Sequence, residues 1–259
     1  MVPRSAHQDP NADQVVQLDA AGLHYRQLNE LVRATVAGGM RKIKLLNVHG
    51  QRYIGTGLDL AVDIEVFGTP GNDLGAFMRG SRILVHGNVQ DGCGNTMDDG
   101  YITVEGRAGD ILGLAARGGK IFVRDNVGYR TGIHMKEYQE KCPIVVIGGT
   151  AQDFLGEYMA GGIIVLLGLN LDSGEFHQCR FVGTGMHGGA VYIRGQMRET
   201  QLGKEVGVQE LSPEDKELLR GLIMEFSGHF GYNGDEILSG TFIKLIPRHL
   251  RPYGRLYAY

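Results

Sequence analysis

Ile64-Glu65-Val66-Phe67-Gly68, Ile83-Leu84-Val85-His86-Gly87, Ile102-Thr103-Val104-Glu105-Gly106, Ile121-Phe122-Val123-Arg124, Ile144-Val145-Val146-Ile147-Gly148, Ile163-Ile164-Val165-Leu166-Leu167 and Val191-Tyr192-Ile193-Arg194-Gly195 are one short phrase written seven times. Their first residues stand 19, 19, 19, 23, 19 and 28 positions apart. A period held that well predicts a solenoid in which each repeat is one coil. The β-branched phrases are its strands. About 14 residues separate one strand from the next in the same phase, too many for a hairpin, so the strands stack in parallel about 4.8 Å apart. Six or seven coils then make a body about 30 Å long. The crossover rule predicts a right-handed parallel β-helix, mainly β in class.

Between the phrases the chain is rich in glycine, with 41 in 259 residues against a usual share of about 7%. Gly75, Gly80, Gly113, Gly118, Gly119, Gly156, Gly161, Gly162, Gly188 and Gly189 recur just before the strands or in the bends and read as corners whose backbone needs φ > 0. The two long intervals mark insertions, one around His134–Lys141 and one around Asn170–Phe181. Insertions in solenoids become surface loops, often on the working face, so these are the first places to look for a partner.

Outward from the repeats, Ile43–Val48 reads as an irregular first coil. Leu28, Leu31, Val32 and Val36 at helical spacing, stopped by Gly38-Gly39, predict a helix over 22–37. Ser212-Pro213-Glu214-Asp215 opens a second helix over 213–228, with Leu218, Leu219, Leu222, Ile223 and Phe226 on its apolar face. Both helices read as caps or flank covers. The chain thus divides into a flexible tail over 1–20, a capping helix over 21–42, the β-helix over 43–195, and a C-terminal helix with an extended tail over 196–259. That last tail carries Phe242–Pro247, then Arg248, Arg251 and Arg255 among Tyr253, Tyr257 and Tyr259; protein contact and packing on its own domain are equally compatible with it.

A net charge of -3 and the lack of a basic stripe argue against nucleic acid. No apolar run of about 18 residues is present and the first 14 residues are polar, so a cytoplasmic protein without a membrane span is expected. Cys93, Cys142 and Cys179 lie far apart with no CxxC spacing, as reduced structural thiols would.

Four patterns imitate active sites. Gly183-Thr184-Gly185-Met186-His187-Gly188 matches GxGxxG, but a strand follows where a dinucleotide site needs a helix. Gly113–Lys120 imitates a phosphate loop, but Ile121 stands near the place of the magnesium-binding Ser or Thr. His177, Cys179 and His187 could ligate a metal if the second insertion folds back, although loop histidines and a lone cysteine are more often surface or core. Asp73, Asp91, Asp98, Asp99, Asp110 and Asp153 share similar phases and could line a ridge like that of glycoside-cleaving β-helices. The turn reading is preferred, because no Arg, His or Tyr recurs beside them. No catalytic, cofactor or metal residue is assigned.

Gly156-Glu157-Tyr158-Met159-Ala160-Gly161-Gly162-Ile163-Ile164-Val165-Leu166-Leu167-Gly168 and Gly183–Tyr192 are similar to the EYMxGG and GMxGGxAYV segments of the GXGXG domain, the C-terminal β-helix of the glutamate synthase large subunit. Ala108-Gly109-Asp110, Val123-Arg124-Asp125-Asn126, Phe242–Pro247 and Arg251-Pro252-Tyr253-Gly254 also resemble it. The resemblance implies a non-catalytic scaffold that braces an amidotransferase against an FMN-binding partner beside an ammonia tunnel, with FMN and an iron–sulfur cluster on the partner subunits and none on this chain. The chain also resembles the β-helical subunit of formylmethanofuran dehydrogenase and of formyltransferase/hydrolase complexes, which implies amidohydrolase and molybdenum or tungsten partners instead. A polysaccharide-acting enzyme is the third reading, and self-association is left open. Where the full-length synthases read roughly GDHGCEYM, this chain has Gln152-Asp153-Phe154-Leu155-Gly156-Glu157-Tyr158-Met159, a departure towards the split or paralogous forms.

Overall fold

A computed structural model of the chain describes residues 14–248. The expectations for residues 1–13, and for the arginine and tyrosine residues after position 248, lie outside the described residues. Eleven strands form one sheet: β1 (Val15–Asp19), β2 (Lys42–His49), β3 (Asp63–Thr69), β4 (Arg82–His86), β5 (Tyr101–Val104), β6 (Lys120–Val123), β7 (Ile144–Ile147), β8 (Ala160–Leu166), β9 (Gly188–Arg194), β10 (Val206–Gln209) and β11 (Phe242–Pro247). From β1 to β9 each strand pairs in parallel with the next. The fold is a parallel β-solenoid.

The register places Ile64, Ile83, Ile102, Ile121, Val145, Ile164 and Val191 in one row. Val66, Val85, Val104, Val123, Ile147, Leu166 and Ile193 form a second, and both rows are buried in the solenoid interior. Here the repeat reading needs a correction at two strands: Val145 and Ile164, rather than Ile144 and Ile163, continue the inward row. Because side chains alternate across a strand, a one-residue slip exchanges the faces. The Ile-Val-Val-Ile and Ile-Ile-Val-Leu runs are apolar on both faces, so their sequence carries no phase.

They are apolar on both faces because α2 (Pro213–Phe230) covers the outer side. Its Leu219, Leu222, Ile223 and Phe226 pack on Phe122, Val146, Val165, Leu167 and Tyr192, which point away from the interior, and Ile237 of α3 (Gly234–Leu238) joins them. The helix starts as its residues require. The Ser212 hydroxyl accepts from the Asp215 N–H at 3.2 Å, the Asp215 carboxylate accepts from the Ser212 N–H at 2.9 Å, and Gly231 ends the helix at φ 75°. By contrast α1 (Tyr25–Ala37) is an end cap: Leu28, Val32 and Val36 join the interior core with Ile43 and Leu45.

Two expectations about the ends change. The tail expected over 1–20 contains β1, whose Val15–Asp19 pair with Lys42–Leu46, so that β1, α1 and β2 form a crossover at the first coil. The tail expected after the second helix contains β11, which runs antiparallel between β9 and β10 with Leu245 fully buried. Three groups lock that end: the Asp215 carboxylate of α2 accepts from the Tyr192 hydroxyl of β9 at 2.6 Å and from the Lys244 ammonium of β11 at 2.8 Å. No helix among the described residues is long and apolar enough to cross a membrane.

Candidate interaction surface at the glycine corners

Each coil turns through three left-handed residues at alternate positions. In the first slot stand Tyr53, Asp73, Gly92, Ile111, Arg130, Phe154 and Phe181; in the third stand Gly57, Phe77, Thr96, Ala115, His134, Tyr158 and Gly185; all have φ between 51° and 70°. The middle slot is Gly55, Gly75, Gly94, Gly113, Gly132, Gly156 and Gly183 without exception. A Cβ on Gly75 would meet Ile102 Cδ1 at 2.7 Å and one on Gly94 would meet Ile121 Cδ1 at 2.4 Å, so the slot faces the core and at these coils has no room for a side chain. The corner is also a ladder: the N–H groups of Gly75, Gly94, Gly113, Gly132, Gly156 and Gly183 each donate to a carbonyl of the preceding coil at 2.8 Å. Gly-x-x-Met, as in Gly75–Met78, Gly94–Met97, Gly132–Met135, Gly156–Met159 and Gly183–Met186, is the signal that the strand-first reading passed over; those methionines are buried.

Of the glycines read as corners, Gly75, Gly80, Gly113, Gly119, Gly156, Gly162 and Gly189 have φ > 0. Gly118, Gly161 and Gly188 do not, and need glycine for a different reason. A Cβ on Gly188 would lie 2.2 Å from the Ala160 carbonyl oxygen of the coil below.

The first and third slots face outward, and there the chain places large side chains. Phe77 is 55% exposed, Phe181 46% and Tyr158 42%, with Tyr53 also exposed and Tyr129 exposed beside the first-slot Arg130. Phe154 stacks on Phe181 with centroids 5.0 Å apart, and His134 on Tyr158 at 5.4 Å. The Arg130 guanidinium lies 4.8 Å over Phe154 and pairs with the buried Glu157, while Arg180 pairs with Asp153 at 2.9 Å. The surface is therefore aromatic, with its cations flattened over rings and neutralised.

The aspartate ridge is a set of braces. Asp91 accepts from the Asp110 N–H, Asp110 from the Tyr129 N–H and Asp153 from the Arg180 N–H, at 2.8–2.9 Å. Asp73 accepts from the Asn95 amide, Asp99 from the Gly100 N–H, and Asp98 from Lys141. These contacts support the turn reading over the glycosidase one, since each carboxylate is spent on the adjoining backbone or coil.

The insertions pack inward more than expected. Around the first, Lys141 reaches Asp98 at 2.6 Å and Arg117 lies over Tyr138. In the second, His177 is fully buried with Nε2 2.9 Å from the Arg194 carbonyl, Gln201 donates to the His177 and Cys179 carbonyls, and Cys179 lies in the core. His187 instead sits 3.2 Å from the Gly185 carbonyl through Nδ1. No group of three or more metal-ligating side chains converges among the described residues. Burial holds the His177 imidazole below its ordinary pKa and pushes the Cys93 and Cys179 thiols up to about 12. Gly183–Gly188 is a corner leading into β9, and Gly113–Lys120 a corner leading into β6.

The model of the GXGXG motif family matches residues 42–249. The chain belongs to the GXGXG family. It is 46% identical over 250 residues to the uncharacterized protein MJ1350 of Methanocaldococcus jannaschii, covering 93% of this chain and 96% of that protein. In fold it is similar to a chain in the crystal structure of the formyltransferase/hydrolase complex FhcABCD from Methylorubrum extorquens in complex with methylofuran. That likeness has a TM-score of 0.58 at 19% identity and covers 91% of this chain and all of that one.

Proposed function

We propose that the chain is a non-catalytic scaffold subunit of a multi-subunit complex and that its aromatic corner face meets the partner. One observation carries the reading. Glycine fills the first slot at Gly92 and the third at Gly57 and Gly185, so the backbone accepts glycine in both slots. Yet Phe77, Tyr158, Phe154, Phe181 and the β-branched Ile111 and Thr96 stand there in other coils, each in a conformation that strains a non-glycine residue by about 1 kcal/mol or more. Of these, Phe77, Tyr158 and Phe181 leave much of their apolar surface in water, which solvent alone does not reward. Strained, exposed, mutually stacked aromatics are what a binding face requires and what a free solenoid does not.

Two partner sets follow from the family. The likeness to a chain of a formyltransferase/hydrolase complex supports the formylmethanofuran-type set, which makes the present chain the equivalent of its β-helical subunit. The glutamate synthase-like set, with an amidotransferase and an FMN-dependent partner beside an ammonia tunnel, is supported by the Gly156–Gly168 and Gly183–Tyr192 segments. In either case FMN, iron–sulfur or other redox groups belong to the partners. Purification of the tagged chain from its native cells, with mass spectrometry of what accompanies it, separates them. An amidohydrolase with a molybdenum or tungsten protein supports the first set, an amidotransferase with a flavoprotein supports the second, and recovery of the chain by itself contradicts the scaffold reading.

A further inference from the structure

Where the chain leaves β5 to β8, the turn between α2 and α3 borders an open recess of about 300 Å³. Arg107 follows β5, Arg124 and Asn126 follow β6, Asn170 follows β8, and Tyr232 comes from the α2–α3 turn. Gly148 and Gly149, after β7, keep the floor flat: a Cβ on Gly148 would lie 2.1 Å from the Arg124 carbonyl oxygen, and one on Gly149 2.2 Å from Asn126 Oδ1.

The spare polar groups are mostly donors. Asp125 is already engaged, its carboxylate accepting from Arg124 Nε at 3.1 Å and Nη2 at 3.3 Å. Asn126 spends its oxygen on the Thr150 N–H and hydroxyl, leaving its amide nitrogen over. The Arg107 guanidinium, the Asn170 side chain and the Tyr232 hydroxyl have no hydrogen-bond or ion-pair partner among the described residues, and Tyr232 is fixed by stacking on Phe226 at 5.6 Å. Two guanidiniums and one carboxylate leave a single net positive charge.

We propose that this recess is a binding site for a small monocarboxylate, with Arg107 as the principal recognition residue. The planar guanidinium presents paired N–H groups at the spacing of a carboxylate's oxygens. A dianion would leave one negative charge uncompensated beside Asp125. The volume is at the lower end for small-molecule sites and suits a ligand no larger than an amino acid. The site does not depend on which complex the chain enters.

The full-length chain, labelled with nitrogen-15, is titrated with sodium acetate and separately with sodium phosphate at constant ionic strength, following the arginine Nε–H and the Gly148 and Gly149 amide signals. The expected result is a saturable shift with acetate at millimolar concentration, weaker with phosphate. Arg107→Gln is expected to weaken acetate binding at least tenfold without lowering the unliganded Tm, because Arg107 has no intramolecular ion pair to lose, and Tyr232→Phe to weaken it less. Absence of saturation, tighter binding of phosphate than of acetate, or unchanged binding in Arg107→Gln would each overturn the proposal.

Discussion

Asp215 illustrates how one side chain closes the C-terminal end. Burial opposes its charge, but the hydrogen bonds from Lys244, Tyr192 and the Ser212 N–H outweigh that and hold its pKa at about 2. A carboxyl depressed below its unfolded value, about 3.9, stabilises the fold fully above that value and loses its contribution as pH falls through the folded pKa. The stability gap between the wild type and Asp215→Asn should therefore shrink by about 2 kcal/mol between pH 4 and pH 2. Denaturant unfolding across that range measures it; a constant gap would mean that the carboxylate is not held this way. The thiols give a second residue-scale outcome. Cys93 and Cys179, buried and with pKa near 12, should resist iodoacetamide at pH 8 in the folded chain, while Cys142, raised to about 11 and only half-buried, reacts first and slowly. Rapid labelling of all three would place them outside the core. Asp215 was legible as a residue of a helix start and Tyr192 as one of a strand, but their contact was not, because it joins a helix and a strand 23 residues apart with no motif between them.

At the scale of the element, the strands were legible and the corners only in part. Inward Ile and Val at a 19-residue period located β3 to β6, where Glu65, Arg82, Thr103 and Lys120 on the outer face set the phase even though Leu84 and Phe122 stand there too. At β7 and β8 the outer face is covered by α2, the alternation vanishes, and the frame slips by one. Glycine at the corners was visible as composition, but its two physical causes were not distinguishable without coordinates: positive φ at Gly162 (93°), and close approach at Gly161, whose Cβ would lie 2.6 Å from the Glu137 N–H nitrogen. The distinction is testable. Gly188→Ala places a methyl against the backbone of β8 and should cost several kcal/mol, on the order of a severe core misfit, seen as a large fall in Tm. Phe77→Gly, at an outward slot where Gly57 and Gly185 already stand, should stay within about 1 kcal/mol of wild type, since relief of strain offsets the added freedom of the unfolded chain. Equal losses in the two variants would refute the assignment of inward and outward slots.

For the molecule as a whole, the periodic repeats were enough to reach a parallel solenoid with flanking helices, because a solenoid is built from contacts between neighbouring coils and its sequence repeats with them. The ends escaped that logic. β1 and β11 are strands whose pairing partners are set by docking on the first and last coils, and β11 reaches β9 only after β10 and two α-helices have intervened. The aromatic corner face was hidden for a related reason: Tyr53, Phe77, Phe154, Tyr158 and Phe181 are scattered along the chain and become one surface only when the coils stack. That surface is where the scaffold reading is most exposed to test. Native mass spectrometry of the complex recovered from native cells, comparing wild type with a Phe77→Gly, Tyr158→Gly, Phe181→Gly variant that keeps its Tm, measures it directly. A stoichiometric assembly is expected for the wild type and a free chain of 28.3 kDa for the variant; a wild type found free, or a variant assembled as fully as the wild type, would overturn the scaffold role.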